Sequence, residues 1–563
     1  MKTPFLMSVT ICSQSVPMLT DDLAIICEIT DFFPIFVKFD CIKDTNQMNR
    51  LNSILLAGIC LLGPVGLSAQ DATIRIHDAG TGVTIPAEIY GQFSEHLGRC
   101  IYGGLWVGED SDVPNVNGYR KDVFDALKAL KVPVMRWPGG CFADDYHWMD
   151  GIGPQEKRAY ISNNNWGGTL EDNSFGTHEF LNLCEMLDIE PYISGNVGSG
   201  SVEEMAKWVE YMTSDAKSTM ADLRRANGRQ EPWKVKYFGI GNEAWGCGGN
   251  MTPEYYSDLY RRYATYLRDY SGNRLYKIAS GASDYDYNWT RVLMKNIGRK
   301  GMKGISLHYY TVINWRDKGA ATKFSDKEYY NILSKSIEIE DVLKKHIDIM
   351  DELDPQGNVD LLLDEWGTWY NVEPGTNPGH LYQQNTMRDA IVAALNFDIF
   401  HKYTRRLKMA NIAQVVNVLQ AMILTNEKEM VLTPTYHVFE MYNVHQDAEY
   451  LAADCLTPKT ACDRKVDVPQ VDVTASRKDG MMNISLVNTD LKKPMKVLVA
   501  FDSPKAVSEV LSARVLTSGD ARDYNDFGSA DKVAPAAFKA YKLTKAGLEV
   551  TLPPCSVVAL SAK

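Results

Sequence analysis

Val235-Lys236-Tyr237-Phe238-Gly239-Ile240-Gly241-Asn242-Glu243 is a short apolar run that stops abruptly at an amide and an acid. The glycine-rich stretch Trp245-Gly246-Cys247-Gly248-Gly249 follows. Thr252-Pro253-Glu254 then sets an N-cap hydroxyl, a proline at the first helical position and an acid in the first turn. Beyond it Tyr256, Leu259, Tyr260, Tyr263 and Leu267 fall on one helical stripe. Strand, loop and helix in that order form one unit of a parallel sheet, whose strands are covered on both faces and so read as unbroken apolar runs.

The same alternation extends from about residue 85 to 450, with further runs at 89–93, 132–137, 190–196, 277–283, 302–308, 359–364 and 413–419. Together with 235–241 these predict eight βα units, an α/β fold closed into a (β/α)8 TIM barrel over 85–450. After about residue 450 the period changes: Val471-Asp472-Val473-Thr474-Ala475 and Asn483-Ile484-Ser485-Leu486-Val487 alternate on either side of Lys478-Asp479-Gly480, a hairpin signature. With short strands at 496–501, 540–543 and 548–552, residues 451–563 read as a C-terminal antiparallel β-sandwich. Residues 70–84, holding Thr73-Ile74-Arg75-Ile76, are expected to supply an N-terminal strand that pairs with it.

The apolar stretch 54–67 is short and is broken by Gly58, Gly63, Pro64 and Gly66. With Arg50 before it and Leu67-Ser68-Ala69 ahead of Gln70, it reads as a signal peptide over 48–69 that starts at Met48. Residues 1–47 are then an upstream extension from a misassigned start, and the expected location is periplasmic or extracellular. Export permits disulfides. Seven of the 11 cysteines lie beyond the expected cleavage point (Cys100, Cys141, Cys184, Cys247, Cys455, Cys462 and Cys555), an odd number that leaves at least one thiol free.

The net charge of −12 and the lack of a Lys/Arg run argue against a nucleic-acid or membrane-surface partner. No C-x-x-C pair, zinc-spaced His/Cys set, phosphate loop or calcium loop is present; Asp284-Tyr285-Asp286-Tyr287-Asn288 lacks the glycine and closing glutamate of the last. Neither a metal nor an organic cofactor is expected.

Barrel enzymes carry their working groups at the C-terminal ends of the strands. Glu243 closes the fourth run, and Leu361-Leu362-Leu363-Asp364-Glu365-Trp366 closes the seventh with two acids after an apolar stretch. Two carboxyls facing each other across a barrel mouth, roughly 5 Å apart, are what glycoside cleavage with retention requires: one attacks the anomeric carbon and the other protonates the leaving oxygen.

The blocks around these acids resemble glycoside hydrolase family 51. They are Tyr90-Gly91-Gln92-Phe93-Ser94-Glu95-His96-Leu97-Gly98-Arg99, Arg136-Trp137-Pro138-Gly139-Gly140, Gly241-Asn242-Glu243 and Asp364-Glu365-Trp366, with Phe175 to Phe180, Ser306 to Tyr310 and Ala413 to Val418 in support. The resemblance spans roughly residues 87–425. It implies a retaining, exo-acting α-L-arabinofuranosidase that removes terminal arabinose from arabinan or arabinoxylan, and a homo-oligomer. It makes Glu365 the nucleophile and Glu243 the acid/base. Glu95, Asn242, Tyr310, Gln414, Arg136, His308 and Trp166 become substrate-binding or nucleophile-supporting residues.

Taken singly, several of these have plainer readings: an ion pair with Arg99 for Glu95, a loop-holding amide for Asn242, a structural ion pair for Arg136, a satisfied inner-barrel histidine for His308, and packing for Tyr310 and Trp166. A barrel xylosidase or endoglucanase would look similar, and a binding protein on a decayed barrel would lack one of the carboxylates.

One position departs from the better-known relatives, which carry Asn after Arg-Trp-Pro-Gly-Gly. Here Cys141 stands, followed by Phe142-Ala143-Asp144-Asp145. A thiol cannot reproduce the hydrogen bonding of an amide, so either Asp144 or Asp145 replaces it or the sugar subsite differs. Cys141 and Cys247 both fall at the barrel mouth, as two free thiols or as a disulfide steadying the loop after Glu243.

Overall fold

The computed structural model describes residues 70–503 and 506–563. The expected upstream extension and signal segment lie outside the described residues.

Parallel strands Gly91–Phe93, Val134–Trp137, Glu190–Gly195, Tyr237–Ile240, Tyr276–Ser283, Gly304–Thr311, Asp360–Thr368 and Leu407–Ala413 close into a barrel in chain order. The helix over Pro253–Tyr266 starts as its sequence dictates. Thr252 Oγ1 caps it by accepting from Tyr255 N at 3.3 Å, and Tyr256, Tyr260 and Tyr263 are buried.

Two strand boundaries differ from the sequence reading. The first run opens as a 3-10 turn over Ala87–Tyr90 and becomes a strand only at Gly91. The eighth strand is Leu407–Ala413 and meets the expected run 413–419 only at Ala413. Lys408 and Asn411 interrupt the apolar pattern of the true strand. Val415, Val416 and Val418 are fully buried although they lie in the loop that follows, so they imitate one. The shift moves Gln414 from inside a strand to just past its C-terminal end.

The C-terminal part is two packed sheets. One orders Ala453–Leu456, Ala72–Ile76, Met495–Phe501, Gly547–Leu552 and Tyr541–Thr544; the other orders Glu449–Leu451, Val471–Lys478, Met481–Asn488, Ser556–Ala562, Val510–Thr517 and Ala536–Ala537. The hairpin turns at Asp479 (φ 51°) and Gly480 (φ 76°), both left-handed as a two-residue type I′ turn needs. The pairings are antiparallel except one: Ala72–Ile76 runs parallel to Met495–Phe501. Between the sheets lie Ile74, Ile76, Val473, Ile484, Val497, Val499, Val550 and Leu560.

A helix over Met387–Lys402 joins the two parts, and nearly all of it is buried. Its Phe397 packs 4.6 Å from the Tyr90 ring and 4.7 Å from Phe439, while His401 bonds Tyr90 Oη at 2.9 Å through Nε2 and Thr474 of the sandwich at 2.8 Å through Nδ1. No helix among the described residues is long and apolar enough to cross a membrane.

Phe397→Ala should cost about 3–5 kcal/mol, as truncation of a fully buried aromatic does. A urea unfolding midpoint almost unchanged in the variant would show that this layer is not close-packed.

Candidate active site

Arg136, on the second strand, is 1% exposed at the barrel centre. Its Nη1 donates to Glu365 Oε1 at 2.7 Å, its Nη2 to Asn242 Oδ1 at 2.6 Å and its Nε to Ser194 Oγ at 3.1 Å. The guanidinium lies 4.5 Å above the Phe93 ring. Tyr310 Oη donates to the other oxygen of Glu365 at 2.7 Å. Glu365 is thus gripped at both oxygens, which fixes the carboxylate plane.

His308 stands between the acids. Its Nδ1 is 2.9 Å from Glu243 Oε1 and 3.5 Å from Glu365 Oε2, and its Nε2 is 3.2 Å from Asp364 Oδ1. One atom each of Glu243, His308 and Glu365 lie within 4.8 Å of one another. Burial opposes the imidazolium, but Glu365, Asp364 and Glu243 outweigh it and push the His308 pKa up to about 10. Burial likewise works to raise Asp364, yet Arg136, His308 and the 2.7 Å bond from Tyr192 Oη bring it below its ordinary value. Burial raises the Glu243 carboxyl and the Glu365 charge adds to that, against the pull of His308 and Arg136.

Glu243 has φ of +37°, a left-handed backbone costly for a residue with a side chain. The loop after it holds the turn: the Glu243 carbonyl accepts from Gly246 N at 2.7 Å and from Gly248 N at 3.1 Å. A Cβ at Gly248 would meet the Asn242 carbonyl oxygen at 1.8 Å, so glycine is obligatory there. Gly139 and Gly140 have a related role, since a Cβ would meet the Glu95 side chain at 2.7 Å in the first and Glu365 Oε1 at 2.9 Å in the second.

Glu95 is buried and does not pair with Arg99, which donates to the Thr425 carbonyl at 3.2 Å. Its Oε1 accepts from Phe142 N at 3.0 Å and Trp166 Nε1 at 2.9 Å, and its Oε2 accepts from Gln414 Nε2 at 3.0 Å. Burial and then the Glu365 charge raise its pKa to about 7. Trp166 is held at its polar edge, with Asn163 Oδ1 accepting from its backbone N–H at 2.9 Å.

Neither aspartate substitutes for an amide beside Cys141. Asp145 is exposed, and Asp144 turns into the protein, where its carboxylate accepts from Val197 N at 2.9 Å, Gly198 N at 3.0 Å and Asn242 N at 3.0 Å. Cys141 itself is bonded to Cys247. The two sulfurs lie 3.9 and 3.4 Å from Glu243 Oε2, on the side away from His308.

The structure adds groups that the sequence reading did not single out. Asp364 and Tyr192 form the acidic floor beneath His308. Trp369 packs edge-on to Tyr310 at 5.1 Å, and Trp315, 55% exposed, packs edge-on to Trp369 at 5.4 Å. Trp369 follows Glu365 by four residues and carries that signal; Trp315 sits in a polar loop and carries none.

Two family profiles match the chain: "Alpha-L-arabinofuranosidase 1 domain" over residues 126–340 and "Alpha-L-arabinofuranosidase C-terminal domain" over 364–556. A Bacteroides ovatus protein named intracellular exo-alpha-L-arabinofuranosidase is 62% identical over 514 residues, 90% of this chain and 99% of its own length. An Aspergillus niger probable alpha-L-arabinofuranosidase C is 34% identical, covering 79% of this chain and 90% of its own. Among solved structures, the GH51 arabinofuranosidase of Xanthomonas axonopodis pv. citri superposes with a TM-score of 0.86 at 46% identity, over 88% of this chain and 100% of that one. The Bacteroides protein corrects the export reading. A relative this similar is named as intracellular, so a signal peptide over 48–69 and a periplasmic or extracellular location no longer stand.

Alkylation of the unreduced protein followed by peptide mapping should leave Cys141 and Cys247 unmodified, and reduction should expose both. Labelling of the pair without reductant would exclude the bond.

Proposed function

The chain belongs to the α-L-arabinofuranosidases of glycoside hydrolase family 51, and on that premise we propose that Glu365 is the nucleophile and Glu243 the acid/base of a retaining, exo-acting hydrolysis of terminal α-L-arabinofuranosides. The observation that carries the reading is the spacing of the two acids. Their nearest oxygens lie within 4.8 Å, a distance suited to direct attack and too short to seat a water between the carboxyls as inversion requires.

Glu365, oriented by Arg136 and Tyr310, attacks the anomeric carbon as Glu243 gives its proton to the departing oxygen. The glycosyl ester cancels the Glu365 charge that helped Glu243 hold its proton, so Glu243 becomes the stronger acid at the moment it must serve as a base. It then takes a proton from the water that cleaves the ester. Asn242, Glu95 and Gln414 face the sugar hydroxyls, with Glu95 and Gln414 coupled by their mutual bond. Trp369 and Trp315 form an aromatic path from the nucleophile to the surface, suited to the polymer side of arabinan or arabinoxylan. The assembly is a homo-oligomer on the family resemblance, and a monomer mass in sedimentation velocity would refute that.

Glu365→Ala should abolish turnover of an aryl α-L-arabinofuranoside, and undiminished hydrolysis would end the assignment. Glu243→Gln should lose about 10²- to 10⁴-fold on substrates with poor leaving groups. Because the Glu243 pKa is raised, its acid form persists above the ordinary carboxylate range; kcat/KM should fall only as pH rises through that raised value, and Glu243→Gln should lose this limb. NMR of the first-formed sugar should show the α anomer, since β first would mean inversion.

A further inference from the structure

We propose that, once reduced, Cys141 and Cys247 join Glu243 in a three-ligand site for a soft divalent cation such as Zn2+ or Cd2+, and that an ion bound there silences the acid/base. Two loops from different strands converge here. Cys141 opens the 3-10 turn after the second strand, and Cys247 lies in the glycine-rich loop after the fourth. Both sulfurs face the same carboxylate oxygen, Glu243 Oε2, at 3.9 and 3.4 Å. With metal–sulfur and metal–oxygen bonds of about 2.3 and 2.1 Å, a tetrahedral ion separates a sulfur from an oxygen ligand by roughly 3.6 Å, and the two observed distances bracket that edge.

The remaining edge, between two thiolates, is about 3.8 Å by the same geometry. The Cα atoms are 5.5 Å apart, so each sulfur reaches that separation by turning about its Cα–Cβ bond while the backbone stays in place. The other oxygen of Glu243 keeps His308, so the histidine need not move for the ion to enter. Cys247 is exposed, which leaves the fourth coordination position open to water. Two sulfurs and one carboxylate favour a soft ion over magnesium or calcium.

The chemistry balances with a phosphine as reductant: the disulfide and water yield two thiols, and the phosphine becomes its oxide. Binding of the ion then displaces both thiol protons to solvent. In the disulfide form the sulfurs have no charge to offer and the site is absent. Metal sensitivity is therefore conditional on the thiol state, and it acts directly on the group that transfers the proton.

The inhibitory half rests on Glu243 being the acid/base; the binding half does not. The test uses the whole enzyme, treated with a water-soluble phosphine, freed of reductant without air and titrated with Cd2+ or Zn2+. The expected result is one ultraviolet cadmium–thiolate charge-transfer signal per chain. Zn2+ should slow arabinofuranoside hydrolysis by on the order of a hundredfold, the scale of a lost general acid. The unreduced enzyme should show neither effect. Cys247→Ser, compared with its own metal-free rate, should show neither after reduction, which separates this site from the half-buried thiols Cys455 and Cys462. A signal that survives Cys247→Ser, or equal inhibition of the reduced and unreduced enzymes, would overturn the proposal. A full signal without inhibition would uphold the metal site and refute Glu243 as acid/base.

Discussion

A single buried cation organises the barrel mouth. Arg136 cannot sit at the centre of an apolar barrel unless its donors are met, because an unpaired buried charge costs several kcal/mol. It meets them from three directions: Ser194 on the third strand, Asn242 past the fourth and Glu365 on the seventh. Those bonds bring the two catalytic loops to one point. His308 supplies the second positive centre, and four carboxyl groups, Glu95, Glu243, Asp364 and Glu365, crowd around the pair. Two cations cannot balance four buried anions. The excess is relieved where the cations are least engaged: the Glu243 and Glu95 carboxyls are pushed up, while Asp364, between Arg136 and His308, is pushed down. The division between proton donor and anion is a consequence of charge balance in a small dry volume.

The parts of this arrangement visible in the sequence were those with a local signature. Apolar runs ending in acids located Glu243 and Glu365, because a strand end changes polarity within two residues. The eighth strand was missed for the converse reason. Its inward polar residue, Asn411, and its Lys408 break the pattern, whereas the loop beyond it is apolar because other loops bury it. Sequence periodicity reports burial, and here burial and strand did not coincide. The partners of His308 and the orientation of Asp144 are long-range facts. Glu243 and His308 are 65 positions apart, and no local pattern announces their 2.9 Å contact.

The sandwich bears on the site through one helix. Residues 387–402 are apolar and polar all round, with Phe397 toward the barrel and His401 shared between Tyr90 and Thr474. A helix buried on every side has no solvent face to choose, so its register is set by the polar atoms it must satisfy. Tyr90 immediately precedes the first barrel strand. The register of that helix therefore fixes where the first strand starts, and with it the reach of Glu95.

The acid/base itself rests on a backbone that other groups must hold. A left-handed Glu243 is costly by itself, so it persists only where its surroundings leave no alternative. Asp144 pins the preceding amide, the N–H groups of Gly246 and Gly248 close on its carbonyl, and the disulfide ties the loop across to the second strand. Each restraint comes from a different piece of chain, and a glutamate in relaxed backbone would need none of them. Their convergence on one residue is the cost of presenting a carboxyl to both His308 and the sugar cavity. It also explains why the residue after Arg-Trp-Pro-Gly-Gly can be cysteine: in this chain that position secures the acid/base loop as well as lining the subsite.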